Sequence, residues 1–205
     1  MTNLIIFDLD GVLIDSKEIH FNALNLALGE FGSNLIISRN EQDNIFEGLP
    51  TKAKLDILTK IKGLPSELHE SIWELKQEYT AKLFESTSSD PGLISLFKMI
   101  KSRGIKTAVA SNSIRKTLDT CLNSLGIVQY IDYSLSNEDV KFPKPDPQIY
   151  NRCMDYLMVD AQQTVIFEDS DIGLRAAHAS GARVEKVQSR KDITFERIER
   201  AINEA

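Results

Sequence analysis

The chain lacks an excess of positive charge. Among its 205 residues, 24 lysines and arginines stand against 30 aspartates and glutamates, which gives a formal net charge of −6 at pH 7. Binding to a nucleic-acid backbone depends on lysine and arginine side chains clustered on one face, and the sequence contains no such cluster. We therefore expect no nucleic-acid partner. The composition leaves open whether the acidity serves general solubility or gathers carboxylates for chemistry.

Long hydrophobic runs and paired cysteines are also missing. No apolar stretch approaches the roughly 20 residues that span a bilayer, and the N-terminal run at 4–7 meets Asp8 too soon for a signal peptide. The two cysteines, Cys121 and Cys153, lie far apart and outside any metal-binding spacing, which argues against a disulfide framework or a zinc site. We expect a cytoplasmic, monomeric protein with no membrane partner.

Three short apolar runs, at residues 4–7, 106–110 and 164–167, each end in a polar cluster. Such runs are typical of strands that are buried on both faces of a parallel sheet. Helical patterns separate them, and Asp90-Pro91 and Asp146-Pro147 each place a proline directly after a residue suited to cap a helix. Strands alternating with helices predict an α/β fold with a Rossmann-like parallel sheet.

Residues 16–88 break this alternation, because they contain helical patterns without a convincing strand. Three apolar stripes recur there at helical spacing: Leu24, Ala27, Leu28 and Phe31; Leu55, Leu58 and Ile61; and Ile72, Leu75, Tyr79 and Leu83. We predict an α/β core domain of residues 1–15 and 89–205, with an all-helical domain of residues 16–88 inserted after the first strand. An insert at that point is placed to cover the carboxyl ends of the strands, where ligands bind in open α/β sheets.

Acidic side chains follow two of the predicted strands. Asp8 and Asp10 come after the first strand, and Glu168 and Asp169 come after the last one. Parallel strands bring these ends to one edge of the sheet, where adjacent carboxylates repel each other unless a proton or a cation neutralises them. An all-oxygen ligand set suits Mg²⁺ better than zinc or copper. We therefore predict that these four residues form a Mg²⁺ site.

A hydroxyl and a lysine complete the predicted site. Ser111 ends the second apolar run, and Lys144 lies after the third strand of the predicted sheet. Together with paired carboxylates and a hard cation, they suit phosphoryl transfer, in which charge on the phosphoryl oxygens must be neutralised. Asp8 can attack as the nucleophile and form an aspartyl-phosphate, while Asp10 can protonate the leaving oxygen and later deprotonate water. Three neighbouring residues are predicted to bind the substrate: Gly11, Asn112 and Ser113.

Four segments carry a family resemblance. They are Phe7 to Ser16 (FDLDGVLIDS), Ala110 to Ser113 (ASNS), Lys144 to Pro147 (KPDP), and Phe167 to Ser170 (FEDS) with Gly173 and Ala176-Ala177. The chain resembles the haloacid dehalogenase superfamily in its phosphatase and phosphomutase branch, over essentially its whole length.

This resemblance implies a role for each acidic residue and for the helical insert. Residues 16–88 would be the mobile cap of the family, Asp8 the nucleophile and Asp10 the acid/base. Asp8, the Asp10 carbonyl and Asp169 would hold Mg²⁺, with Glu168 nearby. Dehalogenases of the superfamily lack an acid at the position of Asp10, which argues against dehalogenation. The resemblance implies a Mg²⁺-dependent phosphatase that acts on a small phosphorylated metabolite, such as a sugar phosphate.

Residues of the helical insert provide arguments for and against a second activity, that of a sugar-phosphate mutase. His20 and Lys76 are similar to residues that support the cap hinge and the acid/base in β-phosphoglucomutase. The mutase, however, has an arginine that grips the distal phosphate where Thr51 aligns, after Gly48-Leu49-Pro50. Nearby lysines lack the planar fork of arginine, so we favour the phosphatase and keep the mutase as the alternative.

The substrate-binding role predicted for His20, Thr51 and Lys76 has simpler alternatives. His20 can be a surface helix residue, and Lys76 can be a solvent-exposed charge. A third function, the receiver domain of a response regulator, also uses aspartate, a hydroxyl, lysine and an acidic pocket on a parallel sheet. Receiver domains are shorter and lack a helical insert after the first strand, which argues against this reading.

Overall fold

The computed structural model describes residues 1–46 and 49–204. The chain divides into two compact units, one formed by Met1–Ser16 with Thr87–Ala205 and the other by Lys17–Ser86. The first unit is an α/β structure, whereas the described residues of the second form helices and no strand. The predicted α/β fold class is therefore confirmed.

Among its described residues, the second unit is built around three long α-helices and one short α-helix, which continues as a π-helix over Gln42–Phe46. They are α1 (Lys17–Gly29), α2 (Arg39–Glu41), α3 (Thr51–Lys62) and α4 (His69–Glu85). Apolar residues of α1, α3 and α4 pack into one core, which includes Leu24, Leu55 and Ile72. Two residues of the predicted stripes are exposed instead: Phe31 is 38% exposed beyond the end of α1, and Ile61 is 52% exposed on α3.

Five parallel strands form the sheet of the first unit. They are β1 (Leu4–Phe7), β2 (Lys106–Ala110), β3 (Tyr133–Leu135), β4 (Thr164–Glu168) and β5 (Arg183–Lys186), in the spatial order β3-β2-β1-β4-β5. The predictions for β1, β2 and β4 are confirmed to within one residue, whereas β5 was not predicted. β1 lies at the centre, with all four of its residues fully buried. Its apolar run can be continuous because both faces of the strand contact protein.

The register of the sheet explains how the functional side chains come together. Phe7, the last residue of β1, pairs with Val109 on one side and with Phe167 on the other. Asp8, the residue that follows β1, donates its backbone N–H to the Phe167 carbonyl at 3.0 Å. Asp8 and Glu168 therefore emerge side by side at the carboxyl ends of neighbouring strands.

The remaining helices cover the two faces of this sheet. They are α5 (Pro91–Ser102), α6 (Arg115–Ser124), α7 (Gln148–Leu157), α8 (Asp171–Ala179) and α9 (Phe195–Asn203). Asp90 caps α5 by accepting from the Leu93 N–H at 2.9 Å, as its sequence predicts. The prediction for α7 is wrong by one residue, because Pro147 itself is the cap position and the helix begins at Gln148.

One arginine contacts the chain on both sides of the insertion. The backbone N–H of Arg190 donates to Asp15 Oδ1 at 3.1 Å, and its guanidinium donates to Asp90 Oδ2 at 2.7 Å. Asp15 lies just before the chain leaves the first unit, and Asp90 lies just after it returns. The chain therefore leaves and re-enters the α/β unit at neighbouring points, so that the sheet can form as though the insert were absent.

Candidate active site

A buried ion-pair network lies at the end of β1. The Lys144 ammonium is 2.6 Å from Asp8 Oδ1 and 2.8 Å from Glu168 Oε2. The three residues are 6%, 7% and 0% exposed, respectively. Charges this far from water are tolerated only when they are paired and hydrogen bonded. One lysine faces two carboxylates here, so the network keeps an excess of negative charge.

The pKa values of Asp8 and Lys144 reflect their burial and this excess of negative charge. Burial raises the pKa of Asp8 well above its usual range, and the charges of Glu168 and Asp10 raise it further, while Lys144 opposes the shift. Burial tends to lower the pKa of Lys144, but Asp8, Tyr150 and Glu168 together raise it well above normal. Lys144 is thus a permanent cation, and an ionised Asp8 is held at a high energetic cost.

The position of Lys144 depends on Asn112 rather than on a strand. Lys144 lies in a loop well beyond β3. Its backbone N–H donates to Asn112 Oδ1 at 3.1 Å, and its carbonyl accepts from Asn112 Nδ2 at 3.2 Å. The predicted role for Asn112 was substrate binding. In the structure both polar ends of this side chain are hydrogen bonded to the main chain of Lys144, and the substrate-binding role stays a prediction.

Asp10 is held by the polar segment after β2. Ser113 Oγ donates to Asp10 Oδ2 at 2.8 Å, and the Ser113 N–H donates to Ser111 Oγ at 2.9 Å. Ser111 is 1% exposed. The segment thus brings Ser111 and Ser113 together with Asp10, as the predicted meeting of strand ends requires. Gly11 has a positive φ of 85°, which lets the chain turn directly after Asp10.

Three carboxylates could hold a metal ion. Asp8, Glu168 and Asp169 each offer an oxygen, and these oxygens lie within 4.8 Å of one another. The Asp10 carboxylate is not part of this group. Asp169 Oδ1 is buried, and among residues 1–46 and 49–204 it has no hydrogen-bond partner. An unsatisfied buried carboxylate oxygen is costly, and an all-oxygen set fits a hard cation such as Mg²⁺.

The pKa of Asp169 also favours a bound cation at this site. Burial and the neighbouring Glu168 raise the pKa of Asp169 to about 6. Glu168 differs, because Lys144 and several hydrogen bonds outweigh its burial and lower its pKa. Asp169, like Asp8, is therefore a carboxylate whose ionised form a bound cation would stabilise, whereas Lys144 and hydrogen bonds already stabilise the ionised form of Glu168.

Two glycines allow these carboxylates to approach the backbone. A Cβ atom on Gly11 would lie 2.0 Å from Asp169 Oδ2, and one on Gly173 would lie 1.9 Å from Glu168 Oε2. Gly173 belongs to the last of the four motif segments and lies in helix α8. The sequence alone does not predict that it packs against Glu168. Neither position can accept a side chain unless an acidic residue moves.

We expect Gly173→Ala to destabilise the protein by about 1–3 kcal/mol, as overpacking of a filled site does. Glu168 cannot easily give way, because hydrogen bonds hold both of its oxygens. Urea unfolding measures the effect. Gly29→Ala is the matched control, since its added methyl would lie 3.9 Å from Ile36 Cδ1, an ordinary contact. A Gly173→Ala protein as stable as the wild type would mean that Glu168 is free to move.

Tyr150 belongs to the network, although the motifs did not single it out. It is fully buried on α7, and its hydroxyl donates to Glu168 Oε2 at 2.7 Å. Its ring lies under the Lys144 ammonium, 4.8 Å from Nζ to the ring centroid. The sequence signal that could identify it is a tyrosine on the apolar face of a predicted helix. Such a tyrosine is expected to be buried, and a buried tyrosine hydroxyl almost always has a hydrogen-bond partner.

The second unit contains the other predicted residues. Lys76 is only 7% exposed and lies 3.3 Å from His20 Nδ1, so its alternative as a solvent-exposed charge is wrong. Thr51 is the first residue of α3, after the cap residue Pro50. Gly48, from the same predicted segment, lies outside the described residues. The substrate-binding roles of His20, Thr51 and Lys76 stay predictions.

Comparison with known proteins gives the family. Residues 5–187 match the family described as haloacid dehalogenase-like hydrolase. A phosphorylated carbohydrates phosphatase of Thermotoga maritima is 28% identical, with the match covering 86% of this chain and 81% of that protein. Fructose-1-phosphate phosphatase YqaB of Escherichia coli is also 28% identical, over 86% of this chain and 92% of that protein.

A solved structure supports the same assignment. β-Phosphoglucomutase from Clostridium difficile has a TM-score of 0.75 to this chain at 26% identity, covering 100% of this chain and 98% of that one. No helix within the described part of the chain is both long and apolar enough to cross a membrane. The resemblance read from the motifs is confirmed, and the receiver-domain reading is set aside. The chain belongs to the haloacid dehalogenase-like hydrolases, in the branch that contains phosphatases and β-phosphoglucomutase-like enzymes.

Proposed function

We propose that the protein is a Mg²⁺-dependent phosphatase that hydrolyses a small phosphomonoester, a sugar phosphate or a similar metabolite, through an aspartyl-phosphate on Asp8. The observation that carries this proposal is the placement of Asp8, which is buried at the end of β1 and bound to Lys144 at 2.6 Å. The names of the two phosphatase relatives support sugar phosphates as the substrate class.

In the proposed mechanism the reaction proceeds by two successive displacements at phosphorus. In the first, an Asp8 oxygen attacks, the bond to the leaving oxygen breaks, and Asp10 gives that oxygen a proton. In the second, Asp10 takes a proton from water, and the water oxygen attacks the phosphorus and releases Asp8 with inorganic phosphate. Ser113 orients Asp10 for both proton transfers through its hydrogen bond to Oδ2.

The fixed charges would act on the phosphoryl oxygens. Lys144 supplies a permanent positive charge beside Asp8, and the Ser111 hydroxyl, whose oxygen accepts from the Ser113 N–H, would donate to the transferring group. Asp8, Asp169 and the Asp10 carbonyl would hold Mg²⁺, which supplies charge neutralisation for a dianionic substrate beside a carboxylate. Glu168 would contribute mainly by holding Lys144, since its own oxygens are occupied.

A phosphate-release assay tests this proposal. We expect purified protein with Mg²⁺ to release inorganic phosphate from a generic aryl phosphate and from members of a panel of phosphorylated sugars, small acids and nucleotides. The panel also ranks candidate substrates. Failure to release phosphate from any of them would reject the assignment. We further propose a cytoplasmic monomer, and gel filtration tests the oligomeric state.

A β-phosphoglucomutase-like activity is the second candidate, favoured by the contact of the buried Lys76 with the half-buried His20 in the helical unit, which we propose to be the cap. Thr51 counts against it, because threonine cannot grip a distal phosphate as arginine does. Incubation with β-glucose 1-phosphate and a bisphosphate activator distinguishes the two. Glucose 6-phosphate is the product expected of a mutase, and inorganic phosphate alone is the product expected of a phosphatase.

A further inference from the structure

Tyr150 is the only aromatic residue of the described chain whose ring and hydroxyl both contact the ion-pair network at Asp8. Its hydroxyl donates to Glu168 Oε2, the same oxygen that accepts from Lys144. Its ring supports the Lys144 ammonium from below. One side chain thus contacts both partners of the ion pair beside the nucleophile.

The hydrogen bonds of Glu168 show what the hydroxyl adds. Oε1 accepts from the Asp169 N–H at 3.0 Å and from the N–H and hydroxyl of Ser170 at 3.1 and 3.0 Å. Within the described residues, Oε2 accepts from Lys144 at 2.8 Å and Tyr150 at 2.7 Å alone. Each carboxylate oxygen has about two lone-pair sites, so Lys144 and Tyr150 together fill those of Oε2. Without its hydroxyl, Lys144 would be the single partner of Oε2.

Lys144 has two carboxylates between which to divide its hydrogen bonds. It lies 2.6 Å from Asp8 Oδ1 and 2.8 Å from Glu168 Oε2. A hydroxyl that already donates to Oε2 reduces the negative charge that Glu168 presents to the ammonium, because hydrogen bonds to a charged group partly satisfy it. The Tyr150 hydroxyl therefore favours the contact of Lys144 with Asp8.

We propose that Tyr150 is a positioning residue of this active site, whose hydroxyl fixes Glu168 so that the Lys144 ammonium stays on Asp8 Oδ1. The inference rests on the proposed function, since it assigns Tyr150 a part in setting up the attack by Asp8. Tyr150 itself touches no reacting atom. Its effect passes through Glu168 and Lys144 alone.

Tyr150→Phe tests this inference, because phenylalanine keeps the ring and its packing and removes only the hydroxyl. We expect kcat for phosphate release to fall about tenfold, the size of effect that follows from losing one charge-assisted hydrogen bond, with KM within twofold of the wild type. Thr164→Val is the matched control. Thr164 is also buried, and its hydroxyl donates to the Asp160 carbonyl at the opposite end of β4. This control should leave kcat unchanged.

A second measurement does not depend on turnover. In ¹⁵N spectra at low temperature, the buried ammonium of Lys144 can be identified by its loss in Lys144→Met. Its signal should shift in Tyr150→Phe and stay in place in Thr164→Val. A kcat within twofold of the wild type together with an unmoved ammonium signal would overturn the inference. A wild-type protein that releases no phosphate would count against the proposed function instead, and the ammonium signal would still decide the role of Tyr150.

Discussion

Replacing Asp8 by asparagine should lower phosphate release by roughly 10³-fold or more, as loss of an essential nucleophile does. Asparagine has nearly the shape of aspartate, but its amide cannot form the acyl-phosphate. A steady-state assay with Mg²⁺ and a saturating aryl phosphate measures the loss. Acid-quenched enzyme should carry a covalent phosphate in the wild type and none in Asp8→Asn, which separates loss of the nucleophile from loss of substrate binding.

The stability of the same variant should not decrease. Burial and Glu168 raise the pKa of Asp8, so the ionised carboxylate costs folding energy at neutral pH. Asparagine removes this cost, and Lys144 keeps Glu168 as its partner. Asp155→Asn, on the exposed face of α7, is the control for a change of one charge and should leave the activity intact. Normal turnover by Asp8→Asn would rule out the aspartyl-phosphate.

The strands at the centre of the sheet could be predicted because all of their residues but Lys106 are buried. β1, β2 and β4 are continuous apolar runs, and such runs identify strands that contact protein on both faces. β5 lies at the edge of the sheet, and its residues Arg183 to Lys186 include three charged side chains and a single apolar one, none of them fully buried. An edge strand with this composition resembles a loop or a helix end, and pairing with β4 decides its structure.

Only those residues of the candidate site that lie at the ends of strands could be predicted from the sequence. Asp8 follows β1 and Glu168 ends β4, and these two strands pair, so topology alone brings the two residues together. The roles of Asn112 and Tyr150 depend on contacts between side chains and a distant loop or carboxylate, as in the bond from Asn112 to the main chain of Lys144. Neither the periodicity of apolar residues nor the spacing of motifs predicts such contacts. They arise from tertiary packing, which is why the contact of Asn112 with the main chain of Lys144 could not be predicted from the sequence.

Removal of divalent cations should abolish activity and lower stability together. With chelator present, the carboxylates of Asp8, Glu168 and Asp169 repel one another across 4.8 Å or less, with only Lys144 to offset them. Adding Mg²⁺ at about 100 times its dissociation constant should stabilise the fold by about 2.7 kcal/mol. For a chain of this size that corresponds to a rise in Tm of roughly 5 to 10 °C. Differential scanning calorimetry with and without Mg²⁺ checks this value.

Asp169→Asn tests whether the stabilisation depends on the predicted ligand. The variant should lose most of the Mg²⁺-dependent rise in Tm. The pH dependence has a definite sign. Because the folded pKa of Asp169 is raised to about 6 from an ordinary value of 3.8, its ionisation destabilises the metal-free protein fully above pH 6 and not at all below about 4. Metal-free Asp169→Asn should therefore exceed the wild type in Tm at pH 7.5, and the difference should shrink towards pH 5. A wild-type Mg²⁺ response that persists in Asp169→Asn would place the cation elsewhere.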